Sequence, residues 1–303
     1  MTLSSALSDQ IRGAGLDPAD IEAVIERSLA EDLAGGVDVT SVATVPATQQ
    51  SILKLVARES GVVAGVVAAC AAFEVVGQGR IAVSANVVDG ASVDAGSCVV
   101  TATGPTVDLL TAERTALNLL CHLSGIATLT ARWVSAVAGT DAAIRDTRKT
   151  TPGLRSLEKF AVRCGGGVNH RMSLSDAALV KDNHVLAAGS VEAAFSAVRD
   201  MWPDLDVEVE VDSLEQLDEV LAAGADLVLL DNFTVAQTRE AVRATAGRAR
   251  LESSGGLSLS VARDYAETGV DFLAVGALTH SAPVLDVGGD LEQVREAWDV
   301  ARH

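Results

Sequence analysis

The sequence predicts an α/β protein whose second half is a parallel sheet of strand–helix units. Three observations carry this. Of the 303 residues, 49 % are hydrophobic and only 3 % aromatic, the composition of buried Val/Leu strands and close-packed helices. From about residue 142, short apolar runs recur: AAIRD (142–146), ALVKD (178–182), VEVEVD (207–212), DLVLLDN (226–232), RLESSGG (250–256) and DFLAVGA (271–277). Helical patterns separate them at 155–164, 190–200, 213–223, 234–246 and 258–268. Six such units in succession favour a barrel over a doubly wound sheet, although periodicity alone leaves the open sheet as an alternative.

The first part of the chain is less regular. Residues 18–33 show apolar side chains at helical spacing, with Pro18 suited to a first turn. The Gly, Asp and Thr content of 35–46 predicts a loop, 51–58 reads as a strand, and the Gly/Ala-rich 65–76 as a buried helix. Strand-like pieces at 81–88 and 97–104 flank VDGASVDAG. That pattern is faintly similar to half of a lipoyl or biotinyl carrier, but no lysine lies near its turn, so a β-hairpin is expected. A long helical pattern follows at 106–139, with a break expected near Ser124-Gly125, and within it Arg114 reads as a surface or capping residue. A last helix at 289–301 is expected to pack back on the first domain.

Composition excludes several functions. The net charge is −18, whereas nucleic acid requires a broad basic face. The opening MTLSSALSDQ lacks a signal-peptide pattern, and the uncharged run 61–73 is too short to span a bilayer. Cys70, Cys98, Cys121 and Cys164 show neither zinc nor disulfide spacing. A cytoplasmic protein is expected.

One stretch breaks the acidic pattern. Residues 144–184 hold eight basic and four acidic side chains, net +4, which leaves −22 for the rest of the chain. Such an island suits a small, highly anionic substrate. Arg155, Lys159 and Arg163 fit a charged helix face, but Arg148, Lys149, Arg171 and Lys181 sit beside turn and strand signals. In a barrel, catalytic groups gather where strands end, and each predicted strand ends in polar or small residues. Alternation places Glu208, Glu210 and Asp212 on one face, where three acids need cations, metal or a polar ligand. Ser254-Gly255-Gly256 and Gly276-Ala277 follow the last two strands and could admit a phosphate to backbone N–H groups. The residues thus describe an anion clamp facing Glu210 and Asp231, whose oxygens suit Mg²⁺ or ribose hydroxyls.

DTRKTTPGLRSLEKFAVRCGGGVNHR followed by DAALVKDNH closely resembles the quinolinate phosphoribosyltransferase family, and AERTALNLLCHLSGIAT, VEVEVD, LLDN, ESSGG and VGALTH are similar to its other signatures, in order. The resemblance covers nearly the whole chain. It implies an N-terminal α/β sandwich domain (1–125) with the C-terminal helix 282–303 packed on it, and a catalytic α/β barrel (126–281). It also implies a homodimer with shared active sites, or a larger assembly of such dimers, with Mg²⁺ as cofactor and no membrane partner. The implied reaction joins quinolinate to 5-phosphoribosyl-1-pyrophosphate. By resemblance, Arg148, His170, Arg171 and Lys181 hold the quinolinate carboxylates, and Arg114 reaches the neighbouring subunit's site for the same purpose. Lys149, with Thr147 beside it, meets the phosphoribosyl substrate. Glu210 and Asp231 hold ribose hydroxyls and Mg²⁺, directly or through water, and Ser254, Gly255, Gly256, Gly276 and Ala277 the 5′-phosphate. Lys149, Glu210 and Asp231 form the implied catalytic set. Ser173 stands where the family is expected to have glycine, and a positive φ there would strain the loop carrying His170 and Arg171. Rival readings are a nicotinate-type phosphoribosyltransferase, a Schiff-base aldolase using Lys149 or Lys181, and a non-catalytic phosphate-ligand sensor.

Overall fold

The computed structural model describes residues 3–294. They form two compact units, one of residues up to Thr128, Pro152–Gly165 and those from Ala282, the other of Leu129–Thr151 and Gly166–Ser281. No helix among the described residues is long and apolar enough to cross a membrane.

The first unit opens with α1 (Ser5–Gly13) and α2 (Pro18–Leu33). Asp17 caps α2 by accepting from Ala19 N, Pro18 supplies the preset first turn, and Ile21, Val24, Ile25 and Leu29 bury one face. The stretch expected to be all loop contains α3 (Val39–Thr44), because Asp38 accepts from both Thr40 N and Ser41 N. Strands β1 (Gln50–Ala57) and β2 (Gly61–Val62) lead to α4 (Val66–Gly77), which is buried almost throughout. β3 (Ala82–Ala85), β4 (Ser92–Val93) and β5 (Cys98–Pro105) follow, then α5 (Thr106–Ala136). The expected break in α5 does not occur. Ser124 Oγ accepts from Ala64 N at 3.0 Å and donates to Ala64 O, while a side chain at Gly125 would run into the Pro283 carbonyl. This Ser-Gly pair admits a close backbone neighbour to a continuous helix.

The second unit begins its sheet with β6 (Ala143–Arg145). α6 (Arg155–Cys164) belongs to the first unit, where Ser156 bonds Asp20 and Arg163 donates to Ala14 O. β7 (Ala178–Val180) is followed by a short α7 (Asp182–Ala188), which the sequence did not signal, and by α8 (Val191–Met201). Then come β8 (Val207–Val211), α9 (Leu214–Ala222), β9 (Leu227–Asp231), α10 (Val235–Thr245), β10 (Arg250–Ser254), α11 (Leu259–Ala266), β11 (Phe272–Ala274) and α12 (Ala277–His280). Side-chain oxygens of Ser190, Ser213 and Thr234 cap α8, α9 and α10.

All pairings in this six-stranded sheet are parallel, in the order β6-β11-β10-β9-β8-β7. That is chain order wrapped round until the first strand meets the last, the order of a barrel with its seam between β6 and β7. One parallel bridge, Arg145 to Val168, lies on the seam side of β6. The doubly wound alternative is thereby excluded, since its order would reverse partway.

The last element among the described residues is β12 (Val287–Gln293), which corrects the first part of the helix expected over 289–301 and of the C-terminal helix placed at 282–303. β12 pairs antiparallel with β1 along its length and completes a four-stranded sheet, β12-β1-β5-β3. Lys54–Glu292 and Arg58–Asp290 ion pairs lace the two strands. This long-range pairing overrides the local helical pattern. The remainder of the expected helix, from residue 295, lies outside the described residues.

Candidate active site

Period-two alternation sets up the barrel interior. In β8, Val207, Val209 and Val211 are buried on one face while Glu208 and Glu210 project to the other. Register then lines up the inward set: Leu179 with Glu208, Glu210 with Leu229, Leu229 with Glu252, and Ser254 with Asp231. A cavity of about 250 Å³ opens above them. Its polar walls are Thr147, Arg148, Lys149, His170, Arg171 and Lys181, with Ser254 opposite and Glu252 at the floor. The island of positive charge and the strand ends therefore meet in one place.

Each cation is held differently. Lys149 has its N–H on Thr147 Oγ1 at 3.0 Å and its carbonyl accepting from Thr279 Oγ1 at 2.8 Å. Its side chain runs past Gly276, where a Cβ would lie 3.1 Å from Lys149 Cδ. Gly276 is thus small to let the lysine through. Arg171 donates Nη1 to Ala177 O at 2.8 Å, and its Nε is buried without a hydrogen-bond partner. Burial, and next the neighbouring Arg148 charge, lower its pKa, the mark of a guanidinium short of negative charge. Lys181 Nζ contacts Glu210 Oε2 at 2.6 Å.

The loop carrying Arg171 is not strained at Ser173. The non-glycine residues with positive φ among those described are Ala34, Gln78, Asn232 and Ala246. Instead Ser173 Oγ bonds Asp176 Oδ1, whose carboxylate also accepts from Met172 N and Ser173 N. Burial works against the Asp176 anion, but these hydrogen bonds prevail and hold its pKa below the usual range.

Asp231 ends β9 in register with the cavity-lining Ser254, itself outside the cavity lining as is Glu210, and its Oδ2 accepts from Asn232 Nδ2 at 2.7 Å. Asn232 is left-handed, φ 56°, and its N–H reaches Ser254 O at 2.9 Å. Gly255 packs so tightly on the Asn232 amide that a Cβ would fall on Asn232 Oδ1, and its own φ is +94°. Gly256 continues the left-handed turn at φ +61°. Ser254, Gly255, Gly256 and Gly276-Ala277 thus follow adjacent strands β10 and β11 as expected. Arg114 lies in the first unit, exposed on α5.

Beneath the cavity lies a buried ionic layer the sequence only partly announced. Arg145 Nη1 donates to Glu252 Oε2 at 2.8 Å and lies 3.7 Å from Glu208, and its guanidinium stacks on Phe272 at 4.8 Å. His170 Nε2 is 2.6 Å from Glu208 Oε2. Burial first, and the Glu208 charge second, push the Glu252 carboxyl up to about 8, against the opposing pull of Arg145. Ligand atoms of His170, Glu208 and Glu252 lie within 4.8 Å of one another, the spacing of a metal site. The Arg145 guanidinium, however, already sits on its carboxylates. Lys181 and Asn232 each engage one oxygen of Glu210 and Asp231, whose carboxylates are of the hard-donor type a divalent cation takes.

Comparison with known proteins agrees with this geometry. The family model described as quinolinate phosphoribosyl transferase, N-terminal domain, matches residues 38–124, and its C-terminal counterpart residues 126–289. The nicotinate-nucleotide pyrophosphorylase (carboxylating) of Mycobacterium leprae (strain TN) is 58 % identical over 271 residues, 88 % of this chain and 95 % of that protein. A probable enzyme of the same name from Bacillus subtilis (strain 168) is 38 % identical over 268 residues, 88 % and 92 %. Among solved structures, NadC from Streptococcus pyogenes superposes with a TM-score of 0.88 at 39 % identity, covering 92 % of this chain and 99 % of that one. With both halves matched, the chain belongs to the quinolinate phosphoribosyltransferase family.

Proposed function

We infer that this protein joins quinolinate to 5-phosphoribosyl-1-pyrophosphate and decarboxylates the product, giving nicotinate mononucleotide, pyrophosphate and CO₂ in de novo NAD biosynthesis. The observation that carries the reading is the convergence of Arg148, Lys149, Arg171 and Lys181 on one cavity. A pyridine with two adjacent carboxylates needs several fixed cations, and arginine forks match carboxylates in pairs of hydrogen bonds.

Arg148, Arg171 and Lys181 hold the two carboxylates and aim the ring nitrogen, with Arg114 added from a second copy of the chain; the His170 ring, which the resemblance also assigns to the carboxylates, instead has Nδ1 on the Arg171 N–H and Nε2 against Glu208. Thr147 and Lys149 meet the phosphoribosyl substrate, and Ser254, Gly255, Gly256, Gly276 and Ala277 cradle its 5′-phosphate. The ring nitrogen attacks the anomeric carbon as pyrophosphate departs, through a transition state with positive charge on the ribose. Glu210 and Asp231 face that charge, and Lys149 faces the leaving group. Glu210 and Asp231 would hold Mg²⁺ directly or through water, and when bound it would add charge neutralisation for the departing pyrophosphate. The alkylated ring then takes up the electron pair of the breaking carbon–carboxylate bond, so CO₂ leaves with little further help and a proton from solvent takes its place on the ring carbon. Fixed orientation is the main contribution of the protein.

A homodimer with shared sites is part of this proposal. Its support is the exposed Arg114 on α5, a cation that the family motif assigns to substrate. The four cysteines are free thiols, which suits a reducing compartment, and we place the enzyme in the cytoplasm. The test is an assay with quinolinate, phosphoribosyl pyrophosphate and Mg²⁺, with and without chelator, following CO₂ release. Turnover of nicotinate but not quinolinate would overturn the substrate assignment, and turnover unaffected by chelation would remove the metal.

A further inference from the structure

We infer that Glu208, buried below the cavity, is a positioning residue for the carboxylate clamp: acting through the His170 ring, it fixes the main chain at Arg171 and so aims the guanidinium. The inference rests on the proposed role of Arg171 in holding quinolinate.

The contacts form one continuous line. Glu208 is 3 % exposed, and a carboxylate at that depth is costly unless it is paired. Its closest cationic or proton-bearing neighbour is His170 Nε2 at 2.6 Å, while Arg145 stands off at 3.7 Å and gives its shorter contact to Glu252. On the other side of the ring, Nδ1 accepts the Arg171 backbone N–H at 2.7 Å. An imidazole accepting at Nδ1 carries its proton at Nε2, and that nitrogen stands 2.6 Å from Glu208 Oε2, the nearest proton-bearing group to a buried carboxylate whose two oxygens have no aligned hydrogen-bond donor among the described residues. Both ring nitrogens are therefore engaged by the protein. Turning the ring would break the Nδ1 hydrogen bond and the close Nε2 contact together, and the Glu208 charge favours the tautomer with its proton at Nε2.

Local structure makes this anchor necessary. Between α6 and β7 the chain has no helix or strand, only the Arg145–Val168 bridge. Arg171 thus stands on irregular backbone, and side chains must do what a β-ladder does elsewhere. Asp146, fully buried, accepts from His170 N at 2.7 Å and from Asn169 Nδ2 at 2.6 Å, holding the strand-side half of the turn. Glu208 holds the ring-side half. Arg171, bonded through Nη1 to Ala177 O, then lines the cavity.

The test compares Glu208→Leu with Glu208→Gln in the full chain, by steady-state kinetics in each substrate, direct titration of quinolinate and thermal melting. A leucine side chain cannot accept from His170, and the quinolinate KM should rise on the order of tenfold with the phosphoribosyl-pyrophosphate KM nearly unchanged. The glutamine variant keeps an acceptor oxygen and should recover most of the loss. A parallel rise of both KM values, or no change in quinolinate binding, would overturn the inference. Should the leucine variant fail to fold, ¹⁵N spectra of His170 in the unmodified protein decide. A protonated Nε2 with an unprotonated Nδ1 supports the relay, and the opposite tautomer removes it. The unmodified enzyme's turnover of quinolinate separately decides the reading on which the inference rests.

Discussion

Lys181 Nζ lies 2.6 Å from Glu210 Oε2, so the cation assigned to the pyridine and the acid assigned to the ribose form one ion pair. On the proposed assignment, this single contact would couple the two substrates. Both side chains keep some solvent exposure, 45 % for Lys181 and 16 % for Glu210. Such a pair stabilises a fold by at most about 1 kcal/mol. Lys181→Ala should therefore barely move the melting temperature while weakening quinolinate binding by roughly 2–5 kcal/mol. A double-mutant cycle with Glu210→Gln, read by calorimetric titration of each substrate, should return a coupling above about 0.5 kcal/mol. Strict additivity would mean the contact is incidental.

Arg171→Ala removes a desolvated guanidinium from the cavity wall. Quinolinate affinity should fall by roughly 2–5 kcal/mol, with phosphoribosyl-pyrophosphate binding largely retained. Titration of each ligand separately checks this, and unchanged quinolinate affinity would remove Arg171 from the clamp.

The buried Glu252 makes stability depend on pH. Its carboxyl is pushed up to about 8 from an ordinary value of 4.5 by burial and then by Glu208, with Arg145 opposing, Asp146 adding to the rise and the His170 ring close by. Between those values the folded chain holds a proton that the unfolded chain has released, so stability falls as pH rises through the window. Glu252→Gln is neutral throughout. Its melting temperature should fall less than that of the unmodified protein between about pH 5 and about pH 9. Parallel profiles would show that Glu252 ionises normally.

Gly255→Ala tests the Asp231 corner. Alanine in the left-handed region costs about 1–2 kcal/mol, and its methyl would also displace the Asn232 amide that donates to Asp231. The KM for phosphoribosyl pyrophosphate should rise well above that for quinolinate. Equal effects on both would point to general loss of structure.

Much of the barrel was legible because its signals are local. The apolar runs and intervening helices appear where the spacing put them, and alternation alone turned Glu208 and Glu210 inward together. What it could not divide was their labour. Glu210 stands at the strand end beside Lys181, whereas Glu208 lies deeper against His170. Both are glutamates two residues apart, and only partners from β6, β7 and the 165–177 loop distinguish them. Ser124-Gly125 carried a break signal for the same reason. Glycine's space is filled by the Pro283 carbonyl, which is distant in sequence. Residues 287–293 read as helix because the residues near them are good helix formers, while the strand partner β1 lies more than two hundred positions earlier.

The pairing of β12 with β1 also sets an order of events during synthesis. The ribosome delivers β1, β5 and β3 first, the whole barrel next, and the outer strand of the first sheet last. Until β12 emerges, one edge of β1 presents bare N–H and C=O groups, a template for any strand that arrives. In the barrel, β7 to β11 pair in the order in which they emerge, while β6, the first of the six, meets its ladder partner only when β11 arrives. A chain cut just before Val287 should then keep its barrel but offer β1 to other copies, and size-exclusion chromatography should show it as oligomers larger than those of the full-length protein.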